Sequence, residues 1–419
     1  MPPRARRFAL TLCGALAAAS VILSAGPAST GALAAARSAP AGITSVPLAQ
    51  SDTDMQRVVE WWTPDRLKRA SSYAPQTSAA APGTPAPSAS TAPSASTAPS
   101  ASTAPSRAAG AKGAGAASTV TTAAAKADTT SKAPAATTAV PGTVPLKAAP
   151  KTVNSRNVNL PLTVGKVFFR NGTTEYWCSA SSVHSKYGNV VATAGHCAYD
   201  VKNGKPVDYW IFIPSYADGQ TPFGIYVGHT LYLNDTYAAT GDFDFDYAFV
   251  TVHRGYKWEP DYDANGAPKK DAKGLPTYKR VDTGVMETKV GGQGFAWNRG
   301  YTVAAYAFGY PAGPHPNGTR PFDGRTMQSC LTRATRKIST EKWELNGGVL
   351  FRGCAFTAGA SGGPWVIKYS GTKRIGYLNG VNSLTWDLDG DGRSDGVSSP
   401  YFDKATYLVY SYASRQKTS

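Results

Sequence analysis

From Val158 onward the chain alternates short apolar runs with polar, turn-forming clusters. Val, Ile, Phe, Tyr and Trp concentrate in residues 164–169, 189–193, 209–213, 247–252, 301–308, 348–351, 364–369 and 374–378, and Gly, Asn, Asp and Pro separate the runs. Many short strands at turn-bounded intervals predict an all-β sandwich or barrel. The last stretch, 401–414, spaces Tyr, Leu and Val at helical intervals and predicts one closing helix. A smaller island at 55–73 sets Val58, Val59, Trp61, Trp62 and Leu67 among charges. Asp54 is placed to cap a helical turn there and Pro64 to interrupt it. This island reads as a propeptide-like segment that docks on the folded domain.

Composition divides the 419 residues unevenly. Residues from about 75 to 150 are nearly all Ala, Pro, Ser, Thr and Gly, and a Ser-Ala-Ser-Thr-Ala-Pro unit recurs between Ser88 and Ser106. Such a stretch has too little apolar surface to offset the entropy of ordering, and predicts an extended, disordered linker. Arg4, Arg6 and Arg7 precede an apolar run to about Ala25 and small residues around Ala32-Leu33-Ala34. That order predicts a secretory signal peptide. The expected layout is a signal peptide at 1–36, a propeptide-like segment at 37–74, a linker at 75–152 and a folded domain at 153–419. No second long apolar stretch follows the first, so no stable membrane anchor is expected. The net charge of +16 has no run of Lys and Arg interleaved with aromatics in the folded part, which argues against nucleic acid as a partner. Cys13 leaves with the signal, and Cys178, Cys197, Cys330 and Cys354 remain. Three disulfide pairings are possible; neighbour pairing, 178 with 197 and 330 with 354, closes two short loops and is the expected one.

Amide hydrolysis needs a nucleophile, a base, a group that orients the base and N–H donors for the oxyanion. Thr357-Ala358-Gly359-Ala360-Ser361-Gly362-Gly363-Pro364-Trp365 sets a serine in a glycine-rich turn, where the N–H groups of Gly359 and Ser361 are candidate oxyanion donors. Val190-Val191-Ala192-Thr193-Ala194-Gly195-His196-Cys197 ends an apolar strand in a small-residue turn that presents a histidine beside a cysteine.

With Thr-Ala-Gly-His-Cys first along the chain and Gly-Ala-Ser-Gly-Gly-Pro second, the two motifs closely resemble those of trypsin/chymotrypsin-like serine peptidases, on the bacterial branch that contains the glutamyl endopeptidases. The resemblance covers about residues 155 to 412. It implies two six-stranded antiparallel β-barrels with the site between them and a C-terminal helix. It also implies a triad of His196, Asp246 and Ser361, since Asp246 opens the apolar strand that follows Gly241-Asp242-Phe243-Asp244-Phe245; Asp244 is the alternative. Cys178 and Cys197 match the disulfide that flanks the family's histidine, and Ser383 matches the residue that hydrogen-bonds the acid. His184, His229, His253 and His315 are expected in surface or core roles.

The departures from the family pattern bear on function. Ala360 stands where animal relatives carry an Asp that pairs with the new N-terminus, so activation by removal of the leading residues would work by unblocking or another contact. Ala355 stands near the position of the trypsin pocket acid, and Leu378-Asn379-Gly380-Val381-Asn382-Ser383 lacks the histidine of glutamyl endopeptidases. No side-chain preference follows. The chemistry needs no cofactor, but Asp387, Asp389, Asp391 and Asp395 alternate like the ligands of a calcium loop, with Ser398 in place of its closing Glu. Asn171, Asn234 and Asn317 each begin a glycosylation triplet. The expected protein is a secreted, monomeric serine endopeptidase acting on a protein or peptide substrate. The alternatives are a catalytically silent binding protein on the same fold and an esterase using the same triad.

Overall fold

The computed structural model describes residues 39–75 and 159–418. The expected signal peptide and the expected linker beyond Pro75 lie outside the described residues. The island before the linker forms β1 (Ile43–Pro47), α1 (Asp52–Trp61), α2 (Pro64–Arg69) and β2 (Ser71–Ser72). Ser51, rather than Asp54, caps α1. Its hydroxyl accepts the Asp54 N–H while the Asp54 carboxylate reaches back, as in a capping box. Pro64 begins α2 instead of interrupting a helix, because the first helical residue has no N–H to lose.

Six strands then close a barrel: β3 (Val164–Asn171), β4 (Thr174–Val183), β5 (Val190–Thr193), β6 (Asp208–Pro214), β7 (Tyr226–Asn234) and β8 (Ala248–Val252). They pair antiparallel in the order β6-β3-β4-β5-β8-β7, and β7 returns to β6. Residues 164–169 are all buried, without the alternation of a half-exposed strand. The leading segment supplies cover: Val58, Val59, Trp62 and Leu67 pack in one core with Val164, Phe168, Ile211 and Ile213. β1 continues the sheet by pairing with β7, from Ile43 opposite Asn234 to Pro47 opposite Thr230.

The second half holds two sheets around another core. One contains Ala305–Gly309, Gln328–Thr332, Pro364–Ser370 and Ile375–Val381, with Gly294–Phe295 joined in parallel. The other contains Arg336–Thr340, Leu345–Arg352, Gly396–Ser399 and Leu384–Trp386. Ala307 and Trp365 from the first meet Phe351 and Val397 from the second. The strand expected at 301–308 begins only at Ala305, because the Tyr301 carbonyl is taken by the Thr335 hydroxyl outside the ladder. The closing helix, α3 (Lys404–Ala413), starts at an Asp403–Thr406 capping box. Its Tyr410 ring stacks on Phe295 at 4.0 Å and meets Phe249 of the barrel at 5.6 Å. A protruding hairpin of Gly255–Pro260 and Tyr278–Gly284 has no counterpart in the sequence reading.

Both neighbour disulfides are present, Cys178–Cys197 and Cys330–Cys354. Asn234 is buried and caps the helix Asp235–Thr240, so its amide is committed to the fold. Among the described residues, no helix is long and apolar enough to cross a membrane.

Candidate active site

β5 ends at Thr193, and the chain tightens into a 3₁₀ turn, Gly195–Cys197, that carries His196. A side chain at Gly195 would lie 2.6 Å from the Tyr237 ring, so only glycine lets the turn seat this deeply. The disulfide from Cys197 ties the same turn to β4. Asp246 ends the 3₁₀ turn Phe243–Phe245, two residues before β8, which pairs with β5. Adjacent strand ends therefore bring together residues fifty positions apart.

The imidazole and carboxylate meet closely. His196 Nδ1 lies 2.9 Å from Asp246 Oδ2, and the His196 backbone N–H donates to Oδ1 at 2.9 Å. The Ser383 hydroxyl donates to Oδ2 at 2.6 Å. Asp246 is fully buried. Burial alone would raise its carboxyl, but the neighbouring His196 charge and the hydrogen bonds from His196 and Ser383 hold it below the usual carboxylate range. An ionised carboxylate only accepts hydrogen bonds, which puts the imidazole proton on Nδ1. Nε2 is then the basic atom, and it is buried without a hydrogen-bond partner among the described residues. Asp244, the alternative acid, turns away to accept the N–H groups of Asn346 and Gly347.

The serine turn is held on three sides. The Ser361 carbonyl accepts from Ser179 N at 2.7 Å, and Gly362 N donates to Asn382 O at 2.7 Å. Ser179 Oγ donates to the Gly359 carbonyl at 2.8 Å. Gly362 has φ +77°, and a side chain there would meet Thr193 Oγ1 at 2.1 Å and Ala194 N at 2.9 Å. The turn thus packs directly on the strand end that leads to His196. Among the described residues no hydrogen bond joins Ser361 to His196. The Gly359 N–H, an expected oxyanion donor, is bonded to the Tyr73 carbonyl at 3.1 Å. Ser179 on β4 and Asn382, just past the strand Ile375–Val381, brace this turn and were not singled out in the sequence. Polar residues inside or just past otherwise apolar strands were the available signal.

The other histidines lie elsewhere. His184 pairs with Glu287, His229 and His253 pack edge to face, and His315 Nδ1 accepts the Ser394 N–H. Of the expected calcium ligands, Asp387, Asp389 and Asp391 converge with carboxylate oxygens within 4.8 Å of one another, so these three can hold a metal ion. Asp395 lies outside that trio and accepts the Leu388 N–H. Ser398, at the closing position, is buried in its strand.

The described residues thus form a closed six-stranded barrel, a second lobe of two sheets and a C-terminal helix. Solved structures similar to this chain include protease Anisep from Arthrobacter nicotinovorans, 27% identical, with 61% of this chain and 97% of that one covered and a TM-score of 0.46. A thermostable serine protease, AL20, from an extremophilic microorganism is 26% identical over 60% and 97%, with a TM-score of 0.47. A Glu endopeptidase solved in complex with MPD is 14% identical over 64% and 96%, with a TM-score of 0.41. No protein-family model and no curated protein matches the sequence.

Proposed function

We propose that this protein is a secreted serine endopeptidase that cleaves peptide bonds through an acyl-enzyme, with His196, Asp246 and Ser361 as its triad. The observation that carries the reading is the buried Ser383–Asp246–His196 hydrogen-bonded chain, which leaves Nε2 without a partner among the described residues, on a turn whose preceding residues Thr193 and Ala194 pack against Gly362 of the serine turn. Ser361 Oγ attacks the scissile carbonyl and gives its proton to Nε2. The imidazolium that forms is stabilised by Asp246 and later protonates the leaving amine. The N–H groups of Gly359 and Ser361 receive the oxyanion. Water then repeats the sequence on the acyl-enzyme. In this reading residues 1–36 direct export, 37–74 form a pro-region, 75–152 form a linker and 153–419 form the peptidase domain.

A fluorophosphonate probe tests the nucleophile. Once residues 42–75 are undocked, the chain is expected to label on Ser361, and Ser361→Ala to remove the label. Labelling that persists in that variant would refute the assignment. A peptide library separates endopeptidase from esterase and reads the preferred side chain.

We also propose calcium at Asp387, Asp389 and Asp391. A hard cation suits three carboxylates. At saturating calcium, chelation is expected to lower Tm by roughly 5 °C in a domain of this size. An unchanged Tm with EDTA, at equal ionic strength, would rule the site out.

A further inference from the structure

The leading segment does more than cover the barrel: its last residues enter the candidate active site. Ser71 and Ser72 pair in parallel with Tyr176 and Trp177 of β4, just before the disulfide. The Tyr73 N–H donates to the Trp177 carbonyl at 2.9 Å, and the Tyr73 carbonyl accepts the Gly359 N–H. The Tyr73 ring, itself buried, lies near-parallel to the His196 imidazole at 6.1 Å and packs edge-on against Phe169 and Tyr176. Asn171 donates to its hydroxyl at 3.3 Å.

We propose that residues 42–75 are a built-in inhibitor of this site, with Tyr73 as the plug. The segment is also expected to stay after a cut: severing the chain between residues 75 and 159 leaves the site blocked until the segment is removed. This rests on the serine peptidase reading above. Two contacts carry the block. The Tyr73 carbonyl occupies an N–H that the oxyanion needs, and its ring shields the base from a substrate. No hydrogen bond joins residues 71–75 to Ser361 among the described residues, so the segment is held beside the nucleophile rather than presented to it.

Retention follows from where the contacts lie. Trp62 is wholly buried and donates to the Tyr209 carbonyl at 2.6 Å. Arg66 pairs with Glu175, β1 extends the barrel sheet, and the Ala49 carbonyl accepts from His253 Nε2 at 2.6 Å. Every one of these joins a residue before 76 to a residue after 158. A cut in between breaks none of them and removes only the advantage of being tethered.

The test uses the full chain with a recognition site for a specific protease inserted between residues 76 and 158. It reads two things: co-elution of the severed segment, and the rate of fluorophosphonate labelling at Ser361. The proposal expects the segment to co-elute. It expects labelling of the severed but bound form to remain at least tenfold slower than in Tyr73→Gly, or in Trp62→Ala, which undocks the segment without touching the plug. Equal labelling of intact chain, severed chain and both variants would overturn the inhibitor and leave the peptidase reading standing. Elution of the segment on cutting would overturn the retention, and self-cleavage at Tyr73–Ala74 would make the segment a substrate and overturn the block. Absence of labelling in every form, with Ser361 intact and the segment removed, would sink both readings.

Discussion

Replacing Asp246 by asparagine is expected to lower kcat about 10⁴-fold while leaving the fold in place. The carboxylate does three things that an amide of the same shape cannot do together. It accepts from the His196 backbone N–H, from Nδ1–H and from the Ser383 hydroxyl. It is ionised in a fully buried setting because those donors outweigh the desolvation that opposes charge. In the proposed mechanism it therefore stabilises the imidazolium as the serine proton is transferred. Asparagine has one acceptor oxygen and one amino group. If the oxygen keeps the backbone N–H, the amino group faces Nδ1 and drives the proton to Nε2, which can then no longer act as a base. The substitution is measured with a peptide substrate after residues 42–75 have been removed, with near-UV circular dichroism as the check on folding. A kcat within tenfold of the parent would sink the role given to Asp246.

Much of this arrangement was legible in the sequence because it is local. The turn before His196 and the turn around Ser361 depend on small residues at fixed offsets, and Gly195, Gly359 and Gly362 each sit where a side chain would strike a neighbour. The strand texture came through for the same reason, since 190–193 and 248–252 are short, apolar and bounded by turns. What was not legible depends on contacts far along the chain. Nothing near Tyr73 announces that its carbonyl will meet an N–H almost three hundred residues later. Asp246 is preferred to Asp244 in the sequence because it opens the strand, but that Asp244 is diverted to Asn346 and Gly347 depends on contacts about a hundred residues away. The second lobe was expected as one closed barrel. It forms two sheets whose inner faces share a core, an arrangement set by packing between Phe351, Trp365 and Val397 rather than by any one strand's pattern.

Lys166 makes the same point in a position that reads as an ordinary polar residue on β3. It is almost completely buried, and its ammonium lies 3.7 Å from the Trp177 ring centre, 4.7 Å from Tyr216 and 5.6 Å from both Phe168 and Tyr310. Ring faces attract a cation, but they replace its hydration only in part. Burial therefore lowers its pKa from 10.5 to about 7, against a weak opposing pull from Asp323. The unfolded chain still binds this proton up to about pH 10. Between the two values the unfolded state holds more protons than the folded one, so stability rises with pH, by at most about 1.4 kcal/mol per unit. Below pH 7 both states are protonated and the full cost of the buried charge is present. Lys166→Met, which fills the same space without a charge, is expected to stabilise the protein by a few kcal/mol at pH 6. The gain should shrink steadily toward pH 10, where the native amine is already neutral. Guanidinium midpoints from pH 6 to 10, measured in a Ser361→Ala background to prevent self-digestion, give the comparison. A difference between the two proteins that stays constant across this range would mean that the lysine keeps its charge in the fold, and would overturn the account of a desolvated ammonium inside the aromatic cage.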